Sequence, residues 1–467
     1  MPRPLPLKEL TREALRAFTR DGAPRWRSTA AVFTSISALA ATSLLPGPAL
    51  AEPHSDLCTL KRTEAHHSEG VDTWNAAYTR PTRPLDALLV FLSFPDSEPR
   101  TTPAELTADY FPATSHFFER ASYGRFTLRP HPQRDWIRMP HPSTSYAIQR
   151  DWNAAHRAAY LRDALAVADA RIDFSRYDIV YFVADPDAPG VDSDATKVVN
   201  LDAPLRADGK DIRRVVTVFE KHPPDRLVLA HETGHIFDLP DLYHRPVDGK
   251  GDWDTYVGDW DLMGSQFGLA PDLFGWHKWK LGWLEPRQVA CVRGRGSTRL
   301  TLEPLGAGPP MVGAAGATAL GAALPGTGGA GPRGGTVGDS GRLVGPGRFG
   351  APSFGSGRGT KLAVVRTGPD SVLAFEARGT AGNDGSTCAQ GVLVYRVSGD
   401  AESGRGPIEV LDAHPHSESC WEDSVYPPLA DAPVAPGETF TVPGDDVRVE
   451  VGDRTASGAW TVTITTG

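Results

Sequence analysis

His231 and His235 stand four residues apart, with Glu232 beside the first, in the stretch RLVLAHETGHIFDLPDLYH at 226–244. On an α-helix, residues four apart lie on one face, a turn apart, so two imidazoles can point at one ion. Glu232 lies roughly 100° round the helix and can face a water molecule instead. This is the physical content of H-E-x-x-H. Zinc lowers the pKa of a coordinated water to about 7, and the glutamate takes its proton as the water attacks a peptide carbonyl. A catalytic zinc keeps three protein ligands and one open position. Asp241, ten residues past His231, is the expected third ligand, and Glu285 is a more distant alternative. Pro240 disfavours helix at Leu239 and so helps the chain turn back. In H-E-x-x-H-x-x-G-x-x-H enzymes a glycine supplies that turn; here the position holds Asp238. Aspartate tolerates left-handed backbone at a cost of about 1 kcal/mol. Asp238 is read either as a solvent-facing acid at the helix end or as a partner to a histidine.

Met263, in GDWDLMGSQFG (258–268), is placed to form a hydrophobic floor under the metal. Tyr243, Tyr256 and His277 are candidate donors to the oxyanion, and spacing does not choose among them.

These residues need elements to carry them. Apolar runs at 85–96, 177–186 and 213–220 read as strands, the first two buried. A helix is expected from 105 to Gly124, with a strand at 126–128, and another helix at 150–170. Pro223 and Pro224 are expected to open the histidine helix, because proline is tolerated in a first turn. A helix at 271–284 is expected to pack through Trp276, Trp279 and Trp283. Strands and helices mix without regular alternation, which implies an α+β class. The Gly/Ala/Pro stretch at 305–360 cannot bury enough apolar surface to order itself and reads as a disordered insertion. Short strand-like segments then fill 361–467, as in a β-sandwich.

The chain has 467 residues and a net charge of −9, a balance that excludes a dedicated basic nucleic-acid binder. Residues 1–51 read as a long basic n-region, an apolar core and an Ala-Leu-Ala end, hence a signal peptide and a secreted protein. Residues 52–84 are an N-terminal segment or a short propeptide, and 85–300 the catalytic domain. The body holds no apolar run long enough to anchor it in a membrane. Four cysteines in an exported chain suggest two disulfides among three connectivities. We favour Cys388–Cys420, which leaves Cys58–Cys291. Asp185, Asp187, Asp192 and Asp194 cluster in a loop whose oxygens could suit calcium, though the spacing is not that of an EF-hand.

HETGHIFDLPDLY, WDLMG and KLGWL, with ERASYGRFTL upstream and GVLVYRV downstream, resemble the immune-inhibitor-A-like family of secreted metallopeptidases over about 85–290, more weakly to 400. The resemblance implies a metzincin-like fold and a zinc-dependent endopeptidase acting on protein or peptide substrates. It maps His231, His235 and Asp241 to the zinc ligands and Glu232 to the base. The family has glycine at the place of Asp238 and often an acid at that of His244. A different class, a secreted binding or adhesion protein on a catalytically degenerate peptidase scaffold, is the alternative that Asp238 and the glycine-rich insertion favour.

Overall fold

The first described strand, β1 (Leu85–Ser93), is apolar over most of its length, as a strand covered on both faces must be. The structure is a computed structural model that describes residues 57–225, 227–246, 250–308, 359–417 and 419–467. The expected signal peptide and most of the expected insertion lie outside these residues.

Around β1 a six-stranded sheet forms in the order β2 (Leu128–Pro132), β1, β4 (Ile179–Ala184), β6 (Lys210–Val218), β5 (Lys197–Ala207). The short β3 (Ile137–Arg138) also pairs with β1. Every pairing is parallel except β5 with β6, so an antiparallel strand forms one edge. One face of the sheet is covered by α3 (Ala154–Asp169), which starts where the Asn153 side chain accepts the amides of Ala155 and His156. The other face carries α1 (Pro103–Tyr110), α2 (Ala113–Ala121) and α4 (Val228–Ile236). The single helix expected from 105 to Gly124 is therefore two, separated at Phe111 and Pro112, where proline ends the first. The following strand begins at Leu128, two residues later than expected. The helix expected over 271–284 is shorter, α5 (Gly275–Lys280), with Trp276 and Trp283 fully buried.

The remaining strands form two sheets. One runs β12 (Ile408–Val410), β11 (Gly391–Ser398), β10 (Ser371–Arg378), β9 (Leu362–Arg366), β7 (Val289–Val292). The other runs β13 (Thr439–Thr441), β14 (Val447–Arg454), β15 (Trp460–Thr466), β8 (Gly296–Leu302). The chain is thus of mixed α+β class. Alternation along β10 explains why every residue of this strand after Ser371 is buried. Leu373, Phe375 and Ala377 pack against the four-stranded sheet, while Val372 and Ala374 join the core beneath the histidine helix.

Both favoured disulfides are present, Cys58–Cys291 and Cys388–Cys420, with Cα atoms 5.8 and 6.3 Å apart. The first ties the segment 57–84 to β7. That segment is also held by Trp276 Nε1 donating to Glu69 O (3.1 Å) and Trp283 Nε1 donating to Pro81 O (2.8 Å). Among the described residues, no helix is long and apolar enough to cross a membrane.

A buried ionic network joins the sandwich to the rest. Arg378 pairs with Glu376 (2.9 Å) and Asp384 (2.8 Å) and donates to the carbonyls of Ala270 and Asp272. Glu376 accepts the amide of Gly275 at the start of α5 (2.6 Å). Removing one member of such a group strands the others without a counter-charge. Arg378→Leu is therefore expected to lower stability by on the order of 3–5 kcal/mol in urea unfolding, whereas a surface arginine such as Arg206 replaced the same way should change little.

Candidate metal centre

Helix α4 carries the motif, and all nine of its residues are buried. It does not begin at the prolines. Leu227 has φ +59°, outside helical space, and the helix starts at Val228, so Pro223 and Pro224 belong to the preceding loop. The helix is fixed to the sheet through Thr233. Its hydroxyl donates to Leu229 O (2.6 Å) and so accepts from the Tyr181 hydroxyl of β4 (2.8 Å). Beneath the helix lies Met263, fully buried; a Cβ on Gly234 would collide with its Sδ, so the methionine needs glycine there.

The helix ends in a Schellman turn. Asp238 N donates to His235 O (3.2 Å) and Leu239 N to Gly234 O (3.2 Å), with Asp238 at φ +64° in the position that glycine usually fills. The reading of Asp238 as a solvent-facing acid is corrected here: the residue is fully buried. Its carboxylate accepts from Arg62 Nη1 (2.8 Å) and His67 Nδ1 (3.1 Å), and its carbonyl from Lys280 Nζ (2.5 Å). Burial opposes its charge, but His67, Lys280 and Arg62 outweigh that and hold the carboxyl below its usual range. The ring of His67 stacks on that of His235, with centroids 5.5 Å apart, and burial pushes His67 down to about 3. At neutral pH it is an uncharged donor. Aspartate thus does at this turn what glycine cannot, because its side chain anchors the turn to the N-terminal segment.

The turn returns Asp241 to the histidines. Its Oδ1 lies 3.4 Å from His231 Nε2 and 3.0 Å from His235 Nε2. The three potential ligand atoms lie within 4.8 Å of one another, a spread that one ion can bridge. The tautomers follow from the neighbours. His231 Nδ1 faces Leu262 O (3.0 Å) and His235 Nδ1 faces Leu239 O (2.8 Å). A carbonyl oxygen only accepts, so both Nδ1 atoms carry hydrogen and both neutral rings turn an Nε2 lone pair toward Asp241. Asp241 Oδ1 is buried and, with both rings neutral, has no donor to satisfy it. Three electron pairs converging without a donor between them fit a cation. Without a metal, a proton serves: burial opposes the charged ring of His235, but Asp241 outweighs it and pushes the imidazole up to about 9. The same pairing holds Asp241 well below the usual carboxylate range against its own burial.

Glu232 is buried, and its Oε2 accepts the amide of Val198 on the edge strand β5 (2.6 Å). Burial pushes its carboxyl up. These groups open into a cleft of about 620 Å³, also lined by His66, Asn200, Tyr243, Trp253 and Phe267. Two further candidates are not in it. His277 is buried between Glu69 (3.0 Å) and Asp261 (3.3 Å), which, against its burial, push it up to about 9. The Tyr256 hydroxyl lies 3.2 Å from His244 Nδ1 and is not among the cleft residues. Tyr243 lines the cleft, its ring stacked near that of His231 with centroids 6.3 Å apart. Glu285 pairs with Arg125 and Arg287 and lines a different cavity. In the acidic loop, Asp187 pairs with Arg100 and Asp194 with Arg150, while Asp192 accepts the Asp194 amide.

Among the described residues, Asp412, His414 and Asp431 form a second group of metal-ligand types. Its histidine is hydrogen-bonded on both sides: His414 Nδ1 faces Asp431 O (2.5 Å) and Nε2 faces Glu438 (2.8 Å), and, against burial, Glu438 raises its pKa. No protein-family model matches the chain, and no curated protein matches it.

Two outcomes are expected. Asp238→Ala should cost about 2–4 kcal/mol in metal-free urea unfolding, from unsatisfied donors and a left-handed alanine, and Asp238→Gly about 1 kcal/mol less. The proton on His235 must leave before an ion binds. Below about pH 9, metal affinity should therefore fall about tenfold per unit of pH, as chelator competition at pH 6, 7 and 8 would measure.

Proposed function

We propose that the chain is a secreted zinc-dependent endopeptidase with a metzincin-like catalytic domain. One observation carries this reading: two Nε2 lone pairs and an orphaned Asp241 oxygen converge beside a buried glutamate, on the floor of an open cleft. Two disulfides support the extracellular assignment.

His231, His235 and Asp241 would hold the ion. A zinc ion there supplies a Lewis acid that polarises a carbonyl and lowers the pKa of water to about 7. The protein does the rest. Leu262 O and Leu239 O keep both imidazoles in the tautomer that presents Nε2. The Val198 amide occupies Glu232 Oε2, which leaves Oε1 to take the proton of the attacking water and pass it to the departing amine. The raised carboxyl of Glu232 suits both halves of that transfer. An extended peptide adds along the free edge of β5, where Val198 and Asn200 face the cleft. Its scissile carbonyl then lies beside Glu232.

Glu232→Gln keeps the shape and the Val198 contact but removes the base. It is expected to abolish casein hydrolysis while zinc content by atomic absorption stays at one per chain. Casein cleavage at the wild-type rate by this variant, or by wild type dialysed against a strong chelator, would sink the mechanism.

A further inference from the structure

Asp241 is held by a part of the chain that the motif does not contain. Its amide donates to Ser403 Oγ (2.8 Å), and that hydroxyl lies 3.3 Å from Asp241 Oδ2, to which it donates. Gly404 N donates to Asp241 O (2.9 Å). Ser403 belongs to the loop between β11 and β12, 162 residues away, and lines the cleft. The loop is itself tied down. Thr63 Oγ1 donates to Gly399 O (2.7 Å), and His66 N to Glu402 (3.2 Å). Gly404, at φ +73°, lets the loop double back here.

The chemistry of the carboxylate makes this contact specific. One oxygen, Oδ1, faces the two imidazoles; the other, Oδ2, receives the serine hydroxyl. A carboxylate on a turn is free to rotate about χ2. Fixing Oδ2 and the backbone amide through one hydroxyl sets the rotation at which Oδ1 faces both Nε2 atoms. We infer that Ser403 is a positioning residue for the metal centre, and that the loop 399–404 of the β-sandwich is a strap that completes it. The inference rests on the zinc-site reading above. Outer partners of this kind tune metal affinity by about 10–100-fold.

The test compares wild type, Ser403→Ala and Ser403→Thr in full-length protein. Zinc affinity is read by competition with a chromogenic chelator, and stability by thermal melting with zinc removed. Ser403→Ala is expected to weaken zinc binding at least tenfold with a metal-free melting point close to wild type. Ser403→Thr, which keeps the hydroxyl, is expected to restore most of the affinity. Unchanged affinity in Ser403→Ala overturns the inference and leaves the zinc-site reading standing. So does a loss of affinity matched by an equal loss of metal-free stability in both variants, since that marks a structural residue only. If wild type binds no zinc, or binds it equally after His231→Ala, the zinc-site reading itself falls and this inference falls with it.

Discussion

The chain must reverse between His235 and Asp241 within six residues, and bring a carboxylate back over the helix it has just left. That reversal is the constraint on which the rest of the site depends. A helix end alone does not specify it. The Schellman hydrogen bonds stop the helix, and Pro240 prevents its continuation. A left-handed residue is needed between them, and this chain uses Asp238. The local strain is small beside what its carboxylate and carbonyl gain from Arg62, His67 and Lys280. Aromatic packing of Phe237 against Phe118 and Phe126 fixes the same turn from the apolar side.

Because the turn is fixed from outside the helix, the segments that fix it cannot be accessory. The N-terminal segment contributes a disulfided cysteine, Glu69 under His277, and the two donors to Asp238. The β-sandwich contributes Arg378, buried among carboxylates beside α5, and the loop that meets Asp241. Strand β10 faces one core with its even-numbered residues and another with its odd ones, so neither core is complete without it.

The convergence of His231, His235 and Asp241 was legible in the sequence because it is a matter of spacing: i, i+4 on one helix, then a reversal. Met263 was legible for the same reason. The strands β1 and β4 announced themselves as apolar runs, and the cysteine pairing followed from where the four cysteines fall. The helix start was not legible. Two prolines imitate a first turn, and nothing local reveals that Leu227 adopts a left-handed backbone. Asp238 looked like a surface acid because aspartate usually is one, and its partners lie 171 and 176 residues earlier in the chain. His277 and Tyr256 were chemically plausible donors, but burial and partner choice are properties of the packed chain. Ser403 is a lone serine in a Gly-containing loop, and no periodicity links it to the motif.

The strap has a consequence in time. A chain leaves the ribosome from its N-terminus at about 5–20 residues per second. The helix with both histidines is made first, and the serine that hydrogen-bonds Asp241 follows 162 residues after it. For some ten to thirty seconds the growing chain carries the motif without its completed centre. The cluster of His231, His235 and Asp241 is thus held in full only once the loop 399–404 has met the turn.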